Sequence, residues 1–403
     1  MDKIVEKALS FYNTVSQIEV PHEVRPSVMW SATLNSVVMP SIRSLDSYQA
    51  VIKACTENDW CTFPLLNKDP MLEKAVENYK RWALLNGIDF GTLIHLIQES
   101  PYTSEKAIVY ENGRRISSGF LWHLACCQRI QKLIPTPNTV LELGGGYGGL
   151  ARIFKFANPD INYVILDLPE MLIASYTYLA ANFPHAKIIL VHSSEDLKLL
   201  NSKYDFALIP NAFVNSVNGF DFDLLINTQS LSEMSQTAFD RYMKLFQEDN
   251  NGKYFYNVNR YGPHPDGMRL PGRGDQNNHS SDTCYCASAL DSNWSLKYWN
   301  LYGDDNVGAI YPNIEVVLEI LIQRIPQTLR NEDLQAIAAH SMYTEAASAL
   351  KIDGYWHRLM WDAIRLNPQI EYLDLYIRVL NAKGFRQAKH FEKLREKLQD
   401  HLQ

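Results

Sequence analysis

The stretch VLELGGGYGGLARIF, residues 140–154, decides the fold of this chain. Its apolar start predicts a buried strand, and the helical spacing of the apolar residues after the last glycine predicts a helix. Glycines permit positive φ and let a ligand approach the backbone, because no Cβ stands in the way. The helix that follows presents unpaired N–H groups at its start. The stretch therefore predicts a strand, a ligand-binding turn and a helix in succession.

The segments after this stretch repeat the alternation of strand and helix. Apolar runs that predict strands are NYVILDL, KIILVHS, YDFALIPN, FDLLINT and KYFYNVN, and helical stretches separate several of them. Two later runs, SLKYWNLYG and IEVVLEILIQRI, are expected to close the sheet as an antiparallel pair. This rhythm predicts an α/β domain, a parallel sheet with helices on both faces, over residues 136–325.

The regions on either side of this domain show helical spacing. Residues 1–135 are expected to form a mainly helical N-terminal region, and residues 326–403 a helical C-terminal domain. The segments LQAIAAHSMYTEAASAL and YLDLYIRVLNAKGFRQAKHFEKL resemble hairpins of the tetratricopeptide type. A plain helical appendage is the alternative interpretation.

Composition narrows the class of protein. The chain has 403 residues, of which 46% are hydrophobic and 21% charged, and these values are ordinary for a globular protein. A net charge of −7 argues against a nucleic-acid substrate. The six cysteines form no CxxC pair, which indicates reduced thiols. With no signal-peptide run and no stretch of about 20 apolar residues, a cytoplasmic protein without a membrane span is expected.

The glycine turn matches two cofactor patterns. Gly144-x-Gly146-x-x-Gly149 satisfies the dinucleotide fingerprint, whereas Glu142-x-Gly144-x-Gly146-x-Gly148 satisfies the acidic pattern of methyltransferases. A carboxylate at Glu142 would repel a pyrophosphate, but it suits a ligand with an ammonium and a sulfonium charge. The second pattern therefore favours S-adenosylmethionine as the cofactor.

Two further polar residues are candidates for contacts with this cofactor. Asp167 ends the next strand, where a carboxylate can accept from both ribose hydroxyls, and capping of the next helix is the alternative. For the adenine, two segments compete. Asn211, the last residue of YDFALIPN, is preferred over Ser194 or Glu195, after KIILVHS, because its segment precedes FDFDLLINT by the spacing expected between the third and fourth strands.

Three segments, taken in order, carry a family resemblance. VLELGGGYGGLARIF, VILDLPEM and FDLLINTQSLSEM resemble the sugar O-methyltransferases of bacterial polysaccharide and glycoside pathways, over about residues 110–325. The SLSEM element is the most specific part of the match. The resemblance implies a Rossmann-like class I methyltransferase core and methyl transfer to a hydroxyl of a sugar or glycan acceptor.

Two residues are candidates for the base that such a reaction needs, because a sugar hydroxyl is a poor nucleophile near neutral pH. Glu233 follows the fourth core strand, where ligands of parallel sheets bind, although Ser230 and Glu233 also fit a capping box. His264 lies in a long polar loop after the fifth strand. A solvated loop without a role is the alternative there.

The same loop holds the remaining charged candidates. Arg260, Arg269 and Arg273 could bind an anionic acceptor such as a nucleotide-linked sugar. A divalent metal is not favoured, because its potential ligands, Asp266, Asp275, His279 and Asp282, show no demanding spacing.

Two competing hypotheses stay open at this point. The glycine turn could serve an NAD(P)-dependent oxidoreductase, or the C-terminal helices could make the chain a non-catalytic interaction protein. The helical appendages could also make the contacts of a homo-oligomer.

Overall fold

The computed structural model describes the chain in eight continuous ranges. The described residues are 2–44, 47–57, 96–247, 252–260, 294–302, 317–324, 369–382 and 388–402, with a few isolated positions between them. Within these ranges, no helix is both long and apolar enough to cross a membrane. Cys55, Cys126 and Cys127 are buried.

Eight strands of the described residues form one sheet in the order β5-β6-β4-β3-β7-β8-β10-β9. Their bounds are β3 Thr139–Leu143, β4 Asn162–Asp167, β5 Ile188–Leu190, β6 Phe206–Pro210, β7 Leu224–Thr228, β8 Tyr254–Arg260, β9 Trp294–Tyr302 and β10 Val317–Arg324. Each of the pairs from β5 through β8 is parallel. The predicted α/β class is therefore confirmed, and β5 adds an edge strand beyond β6.

Helices flank the sheet where the apolar spacing predicts them. They are α5 Ser118–Leu133, α6 Gly149–Ala157, α7 Pro169–Asn182 and α8 Gln236–Gln247. Ser117 caps the first of them by accepting a hydrogen bond from the N–H of Phe120 at 3.1 Å. The strands between them are apolar on both faces, as parallel strands are when helices cover both sides of a sheet.

The order in which the chain adds strands to the sheet changes direction at β3. From β3 the chain adds β4 and later β6 on one side, and then returns to place β7 on the other side. The register pairs Leu143 of β3 with Leu166 of β4 and with Asn227 of β7, so the carboxyl ends of the three strands share one edge. Such a switch point is where open α/β sheets bind their ligands.

The described residues of the N-terminal region form helices and one hairpin. The region contains α1 Lys3–Val15, α2 Val28–Thr33, α3 Met39–Arg43 and α4 Tyr48–Glu57, with a π-helical turn at Leu34–Val38. The hairpin is antiparallel and consists of β1 Val109–Glu111 and β2 Arg114–Ile116. Its turn, Asn112-Gly113, has φ of 50° and 76°, the left-handed geometry that an Asn-Gly pair supplies.

The chain divides into two compact units. The first comprises residues 1–281 and 300–321, and the second residues 282–299 and 322–403. In the second unit, α9 Ile370–Ala382 packs against α10 Ala388–Leu402. The ring of Tyr376 contacts Phe391 edge-on at 4.6 Å, and Arg395 pairs with Asp374 at 2.9 Å. The domain boundaries at residues 135 and 325, and the tetratricopeptide comparison, stay predictions.

Candidate active site

The turn between β3 and α6 is built from left-handed glycines. Gly144, Gly146 and Gly148 have φ of 70°, 57° and 84°, which L side chains adopt only with strain. Gly148 is also the residue that precedes the first turn of α6. Because glycine has no side chain, the backbone at these three positions is not covered by a Cβ, and it lies at the start of a helix.

This turn packs directly against the loop that follows β7. A Cβ placed on Gly144 would lie 2.3 Å from the hydroxyl oxygen of Ser230. The Ser230 hydroxyl and the side-chain amide of Asn227 both donate to the carbonyl of Leu143, at 3.2 and 2.9 Å. The Leu143 carbonyl therefore joins the glycine turn after β3 to the loop after β7.

Asp167 ties the glycine turn to the end of β4. Its Oδ2 accepts from the N–H of Gly146 at 3.0 Å, and its Oδ1 accepts from the N–H of Leu168 at 2.7 Å. Leu168, and not Asp167, is the N-cap residue of α7, and it makes no side-chain capping bond. Burial raises the pKa of Asp167 to about 7, although the two backbone N–H groups oppose the shift.

Glu142 lies beneath the turn, in the core. Its side chain is 1% exposed, and its Oε2 accepts from the hydroxyl of the buried Tyr163 at 2.9 Å. Burial raises the pKa of Glu142 to about 8, so the carboxyl is largely protonated at pH 7. An attraction between Glu142 and a positively charged ligand stays a prediction, and it requires that the ligand itself stabilise the ionised carboxylate.

Asn211 lies beside Asp167, because Pro210 is the register partner of Asp167 across β6 and β4. Its side chain is 1% exposed, and its Nδ2 donates to the carbonyl of Val24 at 2.8 Å. Its Oδ1 is buried and accepts no hydrogen bond from the residues that the structure describes. The competing Ser194 and Glu195 are exposed and follow the edge strand β5. The strand order thus brings Asn211 next to Asp167 and leaves the other two candidates at the edge.

Glu233 lies in the short turn Leu231–Glu233 after β7. The capping box does not form, since Ser230 makes no capping bond and its hydroxyl donates to Leu143 instead. The Glu233 carboxylate accepts from the indole Nε1 of Trp30 at 3.0 Å. Glu233 therefore lies at the carboxyl end of the sheet, half-buried, with a tryptophan N–H on one of its oxygens.

A row of buried asparagines supports this loop from below. Asn259 on β8 donates to the Oδ1 of Asn227 at 2.7 Å, and the same oxygen accepts from the N–H of Leu231 at 3.2 Å. Asn227 and Asn259 are both 0% exposed. Buried amides that satisfy one another in this way fix the position of the backbone they hold.

The candidates in the loop after β8 lie outside the described residues. These are His264, Arg269, Arg273 and the potential metal ligands Asp266, Asp275, His279 and Asp282, and the side chain of Arg260 lies outside them too. Among the residues that the structure does describe, no three or more His, Cys, Asp or Glu side chains gather as a metal site.

Sequence reasoning missed the contribution of the N-terminal region to this edge of the sheet. Val24 and Trp30 contact Asn211 and Glu233, which lie 187 and 203 positions further along the chain. No local pattern marks either residue, because the position of Trp30 within its short helix is the same as that of an ordinary core residue. Ser27 of this segment, which caps α2 by accepting from the N–H of Trp30, is the only signal nearby.

Comparison with known proteins gives this chain no family. No family model and no curated protein matches the sequence. A mitomycin 7-O-methyltransferase is 12% identical, with a TM-score of 0.34, over 71% of this chain and 75% of that one. An O-methyltransferase of neocarzinostatin biosynthesis, solved with S-adenosyl-L-homocysteine and 1,4-dihydroxy-2-naphthoic acid, is 12% identical at a TM-score of 0.30, over 47% and 49%.

A third solved structure is the magnesium protoporphyrin IX methyltransferase of Synechocystis PCC 6803 with bound SAM. It is 10% identical at a TM-score of 0.32, over 51% of this chain and 80% of that one. At TM-scores this low, the class of the fold follows from the strand order and the switch point described above, not from these likenesses.

Proposed function

We propose that this chain is an S-adenosylmethionine-dependent O-methyltransferase whose acceptor is a sugar hydroxyl. The observation that carries the proposal is the turn of three left-handed glycines at the switch point, hydrogen-bonded to Asp167 at the end of the neighbouring strand. An acidic residue in this place can accept from ribose hydroxyls. The sugar acceptor is supported by the resemblance of the three sequence segments.

The residues around the turn fit such a donor in two ways. The buried Oδ1 of Asn211 accepts no hydrogen bond, and an unpaired buried acceptor is costly unless a ligand donates to it. The amino group of an adenine is a donor of the kind required. Gly146, whose N–H donates to Asp167, has no side chain of its own, so a ligand can approach its backbone.

When bound, S-adenosylmethionine would supply a methyl group to an oxygen nucleophile. The task of the chain is then to align the acceptor hydroxyl and to remove its proton. We assign the role of proton acceptor to the Glu233 carboxylate, which lies in the turn that follows β7. The asparagine row and Ser230 fix its loop against the glycine turn. His264 is the second candidate base, and Arg260, Arg269 and Arg273 are candidates for binding an anionic acceptor.

Calorimetry tests the donor. We expect the purified chain to bind S-adenosylhomocysteine and not NAD, and the opposite result would support the oxidoreductase alternative. Transfer of tritium from S-adenosyl-[methyl-³H]methionine to a panel of free and nucleotide-linked hexoses then tests the acceptor. A chain that binds the donor product but labels no hexose would retain the methyltransferase proposal and lose the sugar.

A further inference from the structure

The N-terminal segment, residues 2–44, contacts the carboxyl ends of three core strands. The Tyr12 hydroxyl donates to Glu170 just after β4 at 3.5 Å, Val24 accepts from Asn211 after β6, and Trp30 donates to Glu233 after β7. Helix α1 also packs along α7, and Phe11 contacts His192 edge-on at 5.1 Å. The segment thus spans the edge of the sheet where the donor is proposed to bind.

The segment closes this edge to solvent at Asn211. Val24 and Asn211 are each 1% exposed, and the short turn His22–Val24 packs against the turn Asn211–Ser216 as well as against α8. A ligand that donates to the Oδ1 of Asn211 therefore lies beneath the segment. Such a ligand cannot enter or leave along this side until the His22–Val24 turn moves away.

The three polar contacts differ in strength. The contact of Tyr12 is at the limit of a hydrogen bond, and that of Asn211 joins two neutral groups. The indole N–H of Trp30 donates to a carboxylate at 3.0 Å, and hydrogen bonds to charged groups are about twice as strong as neutral ones. Trp30 is also anchored at the first turn of α2 by Ser27. The bond from Trp30 to Glu233 is thus the strongest of the three.

We propose that the N-terminal segment is a cover of the donor site and that Trp30 is the positioning residue that keeps it shut through Glu233. The identity of the donor in this inference rests on the proposed function. Because the bond ends on the loop that Ser230 ties to Leu143, the cover is fastened to the loop that contacts the glycine turn. Exchange of the donor then requires this bond to break.

The rate of exchange of S-adenosylhomocysteine tests the cover without any acceptor. In Trp30→Phe, which keeps an aromatic ring and loses the N–H, we expect the product to enter and leave about tenfold faster, from the loss of one bond to a charged group. A cover slows association and dissociation alike, so Kd of the variant should stay within about threefold of the wild-type value. Loss of a contact with the ligand would instead raise Kd. Rapid filtration with tritiated S-adenosylhomocysteine measures both rates.

Two variants separate this role from general packing. Trp30→His keeps an N–H donor on a five-membered ring, and we expect slow exchange to be restored. Glu233→Ala should accelerate exchange at least as much as Trp30→Phe does, and the double variant should exchange no faster than Glu233→Ala, because both single changes remove the bond between Trp30 and Glu233. Tyr110→Phe is a matched control for the aromatic substitutions. It removes an exposed Tyr–Glu bond on β1, and it should exchange at the wild-type rate.

The outcomes distinguish the two proposals. If the wild-type chain binds no S-adenosylhomocysteine, the proposed function fails. If it binds the product and folded Trp30→Phe exchanges it at the wild-type rate, or if the effects of Trp30→Phe and Glu233→Ala multiply, the cover is wrong and the donor stands. Thermal unfolding of each variant confirms that it is folded.

Discussion

The carboxyl groups at the two ends of the parallel strands have pKa values shifted in opposite directions. At the amino ends, Asp205 precedes β6 and Asp223 precedes β7, and lysine ammonium groups lie 2.6 Å from each. Partial burial opposes ionisation there, but the hydrogen bonds from Lys155 and Lys253 and from backbone N–H groups lower both pKa values. At the carboxyl ends, burial raises the pKa of Asp167 and of Glu142.

The two ends of the sheet therefore differ in how the charge of their acidic groups is compensated. The acidic groups at the amino ends have their charge compensated by the protein itself. Those at the carboxyl ends face backbone N–H groups or a tyrosine hydroxyl but no cation within the described hydrogen bonds and ion pairs. Acidic groups with perturbed pKa values are concentrated at functional sites. There, a bound ligand can provide the hydrogen bonds or positive charge that stabilise the ionised carboxylate.

Gly144→Ala should break the carboxyl end most severely. A Cβ there would lie 2.3 Å from the Ser230 hydroxyl oxygen and would occupy a left-handed φ of 70°. Because Ser230 is itself bonded to Leu143, the loop must move, and we expect calorimetry to find no binding of S-adenosylhomocysteine. Gly113→Ala is the matched control, with φ of 76° and nothing within 4 Å. It should cost about 1 kcal/mol of stability and leave binding intact. Normal affinity in Gly144→Ala would contradict this account of the turn.

The dependence of stability on pH should divide between the two ends. The pKa of Glu142 rises from 4.5 to about 8 on folding, so its contribution to stability is present at low pH and is lost as pH rises through about 8. The full effect is on the order of 5 kcal/mol. Asp205 has a lowered pKa, so its contribution is present above its unfolded value and is lost as pH falls.

Chemical denaturation between pH 3 and pH 9, a range of about six units, measures both effects. We expect Glu142→Gln to flatten the loss of stability between about pH 4.5 and pH 8, and Asp205→Asn to flatten the loss on the acid side. A loss of stability over that range that is unchanged in Glu142→Gln would show that another group causes it.

The sequence was sufficient where the determining signal is local. The apolar runs and the glycine turn predict strand, turn and helix because each depends on a few adjacent residues, and the strands β3 to β8 follow these runs. The burial of Glu142 against Tyr163 was not predictable, because the pairing of Glu142 with Ile165 on β4 sets which side chains meet across the strands. The contact of Trp30 with Glu233 joins positions 203 residues apart, and spacing along the chain carries no information about it.

Asp167→Asn should weaken donor binding without disturbing the fold. The amide keeps one oxygen for the N–H of Gly146 or Leu168, but it cannot accept at both atoms. From the loss of one or two bonds to a charged group, we expect an affinity for S-adenosylhomocysteine about tenfold to a hundredfold lower. Asp205→Asn, at the opposite end of the sheet, should bind as the wild type does. Equal affinities of the two variants would remove Asp167 from the donor site.

Ser230→Ala should have the smallest effect, and it tests whether the carboxyl end acts as one unit. The hydroxyl of Ser230 donates to Leu143, whose carbonyl also accepts from Asn227, so one of two bonds between the loops is lost while the other stays. A single hydrogen bond of this kind contributes about 1 kcal/mol, and we expect the affinity for S-adenosylhomocysteine to fall about threefold to fivefold. Ser202→Ala removes an exposed hydroxyl bond to the Leu199 carbonyl, before β6, and should leave the affinity unchanged. Ser230 contacts the glycine turn at Gly144. A loss of affinity in Ser230→Ala but not in Ser202→Ala would therefore show that the loop after β7 affects donor binding through the glycine turn.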